Sequence, residues 1–316
     1  GTLIAAKYVK NNFDPENEAL QLFTGGIDAT ATLLRHYEEK PILFNTNGWY
    51  KSTDEKNVVY DADYNAITEI AENNELNAVF VKSNFATFIR AAAVDAVFNN
   101  KTGSSWWFGF QHSPAFLGCA MVAAYHFRVK KVYIASSYTF GQYVVCVSDP
   151  RIDKYISCSG IKTIHDGYEL SRQDKVKLIV QHYKKYQNNL SLRVCSFNTH
   201  NCCSCEKCFR SMLALAAEGA DDLGKFGFEL DNTLLNKLKV FISKDAMELD
   251  KNHIVFWYDI ISIMGKNYDS LYYKEVYDYL KNLDLNKARK NAILNHYKKD
   301  FIVIVKRKLS KLFKKG

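Results

Sequence analysis

Nowhere in the 316 residues is there an apolar run of about 18, the length a membrane-crossing helix needs. Residues 1–21 lack the basic, apolar and small-residue layout of a secretory signal. Both absences lead to the expectation of a cytoplasmic protein, and Gly1 in place of an initiator methionine suggests a trimmed or processed start. Internal repeats and low-complexity stretches are missing before the C-terminal tail, which excludes solenoid and fibrous architectures. A general charge imbalance is missing too. The formal net charge is +8, but residues 298–316 carry eight basic side chains and one acid, which is +7 and leaves +1 for the rest. Basicity is thus a property of the tail. Its run Phe301-Ile302-Val303-Ile304-Val305, followed by Lys306-Arg307-Lys308, suits an anionic membrane surface or a nucleic acid, with a solvated chain end as the alternative.

What is present is a globular composition, 47% apolar and 24% charged, not that of a disordered chain. At 316 residues the chain exceeds the roughly 250 to 300 at which one core stops growing, so a main domain plus an extension is expected.

The stretch Leu22-Phe23-Thr24-Gly25-Gly26-Ile27-Asp28-Ala29-Thr30 reads as a buried strand, a glycine turn and a helix start. Paired glycines let the backbone turn tightly and approach a ligand, and the helix offers unpaired N–H groups and a positive dipole end to an anion. The dipole contributes only about 0.3 to 1 kcal/mol per charge, so converging amides and a metal ion would have to supply the rest. An ordinary strand-to-helix turn is the alternative.

Downstream, Pro41 to Asn45 reads as a strand, Asn57 to Asn73 as a helix and Asn77 to Lys82 as a strand. Phe85 to Phe98 and Pro114 to Phe127 read as helices, and Lys131 to Ala135 as a strand ending at Ser136-Ser137. This alternation predicts an α/β protein with a parallel sheet, helices on both faces, and ligands at the carboxyl ends of the strands. Ser113 and Pro114 read as a helix cap and first turn, His112 as a residue that can face substrate, and Ser136 and Ser137 as cleft-lining or turn serines. Ser171 reads as the cap of a helix carrying Arg172 and Lys175 in its first turns. Cations there oppose the dipole, so a phosphate or carboxylate partner is one reading and a solvated face the other.

Five of the eight cysteines fall within fourteen residues: Cys195, Cys202, Cys203, Cys205 and Cys208. The C-x2-C-x2-C spacing lets Cys202, Cys205 and Cys208 converge on one ion, and Cys195 completes a closed tetrahedral zinc site of structural type. An iron–sulfur cluster is the rival, weakened because Phe209-Arg210 stands where ferredoxin motifs end in cysteine-proline. Cys203 is left as a spare thiol that fills the turn, with an exposed, redox-active thiol as the alternative. Beyond residue 221 come amphipathic helices, Thr233 to Ser243, Ile254 to Met264 and Leu271 to Leu280, expected to cover the sheet or to form a homo-oligomer interface, with Tyr272, Tyr273, Tyr277 and Tyr279 as packing residues.

The segment from Thr24 to Thr30 resembles the SGGxDS signature of the PP-loop ATP pyrophosphatases: Thr24 stands for the first serine, Gly25, Gly26 and Asp28 match, Ala29 replaces the second serine, and Thr30 supplies a hydroxyl one place on. With the four cysteines, residues 19–218 look like the 7-cyano-7-deazaguanine synthase (QueC-like) branch, although the proline-arginine-asparagine stretch of the true synthase is absent and Gln111-His112-Ser113-Pro114 sits there. The resemblance implies an adenine-nucleotide alpha-hydrolase (HUP-like) fold and an AMP-forming ligase that uses ATP, Mg2+ and Zn2+. It would activate a carboxylate or amide-type oxygen and release pyrophosphate, with zinc supporting the active site. Thr24, Gly25, Gly26, Ile27 and Thr30 would hold phosphates, Asp28 would hold magnesium or orient the triphosphate, Asn45 would border the nucleoside, and Arg172 or Lys175 would neutralise pyrophosphate. No internal nucleophile stands out, so the attacking group would be ammonia or an amine acting on a small or macromolecular carboxylate. Deazaguanine-type chemistry in anti-phage defence, an amidotransferase-like enzyme of surface-sugar biosynthesis, and an ATP-binding partner without turnover, to which Ala29 lends support, are the readings this leaves. The expected layout is a nucleotide-binding domain over 1–190, a zinc segment over 191–220, a helical region over 221–297 and the basic tail.

Overall fold

The structure is a computed structural model that describes residues 13–47, 55–142, 144–186, 191–195, 198, 200–249 and 251–297. Gly1 and the basic tail, with the contacts expected of it, lie outside the described residues. The chain divides into two compact units, Gly1–Arg193 and Val194–Gly316.

The first unit alternates strands and helices in chain order: β1 (Asn17–Leu22), α1 (Ile27–Arg35), β2 (Ile42–Asn47), α2 (Glu55–Asn73), β3 (Ala78–Lys82), α3 (Phe85–Phe88), α4 (Ala91–Thr102), α5 (His112–His126), β4 (Val129–Ala135), α6 (Pro150–Asp153), β5 (Lys162–Asp166) and α7 (Arg172–Tyr186). The five strands form one sheet in the order β3-β2-β1-β4-β5, and every pairing is parallel. The α/β reading of the sequence therefore holds at the level of a parallel sheet flanked by helices. Strand order reverses at β1, so the carboxyl ends of β1 and β4 flank a switch point where open α/β sheets bind ligands.

Alternation along β2 shows how both faces are buried. Leu43 joins Phe23, Ala29, Leu33, Ile67 and Ala71 beneath α1 and α2, while Ile42 and Phe44 join Leu20, Leu117, Ala120, Val132 and Ile134 beneath α5. Each Leu, Ile, Val or Phe among them contributes about 1.5 to 3 kcal/mol on burial, which is why the strand runs are apolar on both sides.

Some local expectations are corrected. The helix expected over Phe85 to Phe98 is two, broken at Ile89, which is extended at φ −110° and ψ 137°. Ser113 does not cap α5: the helix starts at His112 behind a π-helical turn, Trp107–Gln111, and Ser113 is fully buried, its hydroxyl next to Asp153 Oδ1 (2.5 Å) and Val147 O (3.2 Å). Ser171, in contrast, does start α7, accepting from Asp174 N (3.1 Å) while the Asp174 carboxylate accepts from Ser171 N (2.9 Å) in a reciprocal capping box.

The second unit is helical, with α8 (Glu206–Ala217), α9 (Leu234–Lys244), α10 (Lys251–Lys266), α11 (Lys274–Leu280) and helical residues 285–297. Helix α8 is buried on all sides from Cys208 to Ala217, and its Phe209 starts an aromatic stack, 4.9 Å from Phe241, which lies 5.9 Å from Trp257. Tyr277 packs against Gly265 as expected, whereas Tyr272 is 67% exposed and packs nothing away. Among the described residues no helix is long and apolar enough to cross a membrane.

Candidate functional site

In the first unit the loop after β1 places Thr24 on the surface and Gly25 and Gly26 at the start of α1. Gly26 caps the helix without a side-chain bond, and the first in-helix bond runs from Thr30 N to Gly26 O (2.9 Å), leaving the helix start to other partners. Gly25 has φ +71°, and a Cβ on it would lie 2.9 Å from Arg193 Cβ, so this position excludes any other residue twice over. Asn45, buried near the end of β2, donates to Phe23 O (3.0 Å) and so fixes the entrance to the loop. Its amide is spent on backbone.

Asp28, in the first turn of α1, gathers the two cations that the sequence left between an anion and solvent. Arg172 Nη1 lies 3.0 Å from one carboxylate oxygen and Lys175 Nζ 3.2 Å from the other. Lys175 is 2% exposed and also donates to the carbonyl of Ser136, at the end of β4. A solvated face is excluded for it. Ser136 Oγ donates to Tyr138 O (2.6 Å) and its N–H to Asp166 O (2.8 Å), so the buried serine braces the post-β4 turn, while Ser137 is exposed. Thus Asp28, Arg172, Lys175 and Ser136 meet across the switch point between β1 and β4, beside the glycine loop. The three charged groups sum to one positive charge, which suits an anion. Thr30 and Ala29 turn inward: Thr30 is 5% exposed, and Ala29 packs with Leu33 and Leu43 while its carbonyl accepts from Gln21 Nε2 (2.7 Å).

Sequence reasoning missed Arg193. Its N–H donates to Gly25 O (2.8 Å), and its guanidinium lies 3.1 Å from Asp63 of α2. It also missed a buried relay in which Asp153 accepts from Ser113 and lies 2.7 Å from His165 Nδ1. His112 packs among Trp107, Phe108 and Phe116, and burial lowers its pKa.

In the second unit the sulfurs of Cys195, Cys202, Cys205 and Cys208 all lie within 4.8 Å of one another. Cys202 and Cys208 are 3.8 Å apart, the edge expected of a tetrahedron with metal–sulfur bonds of about 2.3 Å. The cluster can therefore hold a metal ion such as zinc. The crowded thiols do not ionise together without a cation: hydrogen bonds from Cys205 and then Cys208 favour the Cys202 thiolate, and hydrogen bonds of Cys208 to Cys202 and then Cys205 push the Cys208 thiol up. The N-terminus of α8, capped by Cys205, adds its dipole in favour of thiolate. Buried Asn201, with no prior signal, accepts from Val194 N (3.0 Å) and Cys195 N (3.2 Å) and donates to Gly227 O (2.9 Å), fixing Cys195 opposite the other three. Cys203 is excluded from the set. It is 1% exposed at φ 51°, and burial raises its thiol to about 11.

These features define a doubly wound parallel α/β unit with an anion-suited glycine loop, joined to a helical unit with a four-cysteine cluster. The chain matches no protein-family model, and no curated protein is similar to it.

Proposed function

We propose that the protein is an AMP-forming ligase of the PP-loop type, QueC-like, with a HUP-like nucleotide-binding unit and zinc in its four-cysteine cluster. The observation that carries this reading is the convergence of Asp28, Arg172 and Lys175 beside the glycine loop, at the point where strand order reverses. In this reading the triphosphate of ATP lies over the start of α1, and its negative charge takes over Arg172 and Lys175 from Asp28. The Asp28 carboxylate would then be the group to hold Mg2+, which would offset phosphate charge. A substrate carboxylate oxygen attacks the α-phosphorus, the bond to the β-phosphate breaks, and pyrophosphate leaves with its charge balanced by the two cations. The acyl-AMP so formed is attacked by ammonia or an amine, and AMP leaves. Ser136 acts through its carbonyl, which anchors Lys175, and Asn45 through the loop entrance, so neither needs to touch the nucleotide.

Zinc in the cluster is structural, since four thiolates leave no open position for substrate. An ATP-binding partner without turnover is the second reading. Ala29 favours it, because the residue standing for the second serine of the signature offers no hydroxyl to a phosphate. Incubation with ATP, Mg2+, ammonium and a panel of carboxylates, with AMP and pyrophosphate measured, separates the two. Pyrophosphate release that depends on an added carboxylate and is lost in Asp28→Asn supports the ligase; ATP binding with no AMP under any condition supports the partner.

A further inference from the structure

We propose that Arg193 is a positioning residue for the glycine loop, setting which way the Gly25–Gly26 peptide faces; the proposal rests on the ATP reading above. The N–H of Arg193 donates to the carbonyl of Gly25 at 2.8 Å. A trans peptide is planar with its carbonyl and N–H on opposite sides, so a Gly25 carbonyl turned toward Arg193 turns the Gly26 N–H away from it. That N–H then stands beside the start of α1, where an anion meets the helix amides. Without the Arg193 bond the peptide is free to rotate, and the opposite orientation presents a carbonyl oxygen to the phosphates instead of a donor.

Three further observations say that Arg193 itself is held in place. Its side chain is 5% exposed, its guanidinium lies 3.1 Å from Asp63 Oδ1 on α2, and its Cβ sits where a side chain on Gly25 would have to go, at 2.9 Å. The Asp63 ion pair fixes the side chain, the side chain fixes the backbone of residue 193, and that backbone fixes the loop. Arg193 needs no contact with the nucleotide to act.

The test compares wild type with Arg193→Ala, Arg193→Lys and Asp63→Asn, titrated with ATP·Mg2+, inorganic pyrophosphate and adenosine, with a thermal melt of each variant as a folding check. The expected result is a loss of ATP and pyrophosphate affinity of about tenfold or more in Arg193→Ala and Asp63→Asn, with adenosine affinity unchanged and partial recovery in Arg193→Lys. A generally destabilised protein would lose both ligands alike, so the split between phosphate and nucleoside marks positioning. If Arg193→Ala does not fold, Asp63→Asn, which leaves residue 193 intact, carries the same comparison. Equal ATP affinity in wild type and the folded variants overturns the role of Arg193 alone. Failure of the wild type to bind ATP or pyrophosphate overturns the ATP reading and this inference with it.

Discussion

The glycine loop and the cysteine cluster are electrostatic opposites. The cluster is four thiols within fourteen residues, close enough to share one cation as thiolates. The loop is a helix start, two glycines and a surplus positive charge, gathered from β1, α1, the end of β4 and α7, and it is suited to an anion. The difference lies in how each arrangement survives without its ligand. Around the loop Asp28 holds both Arg172 and Lys175 and so offsets one of the two positive charges. In the cluster the four sulfurs can be thiolates together only around a cation, so metal binding and deprotonation are coupled. On the proposed reading the first would exchange its ligand and the second would keep it.

The largest expected effect therefore falls on the cluster. Cys208→Ser should lower metal content, measured by elemental analysis, from one ion per chain and should cost most of the cooperative unfolding signal of the helical unit, because comparable zinc sites contribute about 10 to 16 kcal/mol in small peptides. An unchanged melting temperature would mean that the four sulfurs are packing residues.

Next comes the loop. Lys175→Met removes a cation that is 2% exposed and bonded to both Asp28 and Ser136, and should cost about 1 to 3 kcal/mol of stability in denaturant melts while abolishing ATP binding. Arg172→Met, at a more exposed position, should cost less stability with a comparable loss of affinity. Equal and trivial effects of both would remove the exchange picture.

Cys203→Ala should be mild, about 1 kcal/mol or less, with metal content unchanged, since the side chain fills a turn and binds nothing. A metal loss like that of Cys208→Ser would place the fifth cysteine in the site.

The smallest effect concerns pH. Burial depresses the pKa of His112 below its ordinary value, so the unfolded chain takes up the proton first as pH falls. The stability this neutral histidine contributes is present above the ordinary histidine pKa and is lost as pH falls through the depressed folded value. His112→Phe should flatten the loss of stability between about pH 7 and pH 5 in thermal melts. An unaltered slope would show that His112 titrates as if exposed.

Much of this was legible from residue types. Cysteine spacing names its own geometry, and Gly25-Gly26 between an apolar run and a helix pattern names a turn. The alternation of strands and helices gave the parallel sheet, but the capping role read into Ser113 failed because the π-helical turn Trp107–Gln111 moves the helix start and buries the hydroxyl against Asp153. Arg193 was invisible for a deeper reason: it meets Gly25 through an N–H and a Cβ, which nearly every residue possesses, and the ion-pair partner of its guanidinium, Asp63, lies far away in the sequence. Asn201 was hidden likewise, since its partners are backbone groups. Arg172 and Lys175 were seen as cations in search of a partner, but only the packing of α7 on α1 shows that the partner is Asp28.

The most direct measurement is calorimetric titration of the wild type and of Lys175→Met with Mg2+ and a non-cleavable α,β-methylene analogue of ATP. Saturable one-to-one binding by the wild type and none by the variant is the predicted result; no binding by the wild type, or equal binding by both, would contradict the placement of the triphosphate over the start of α1.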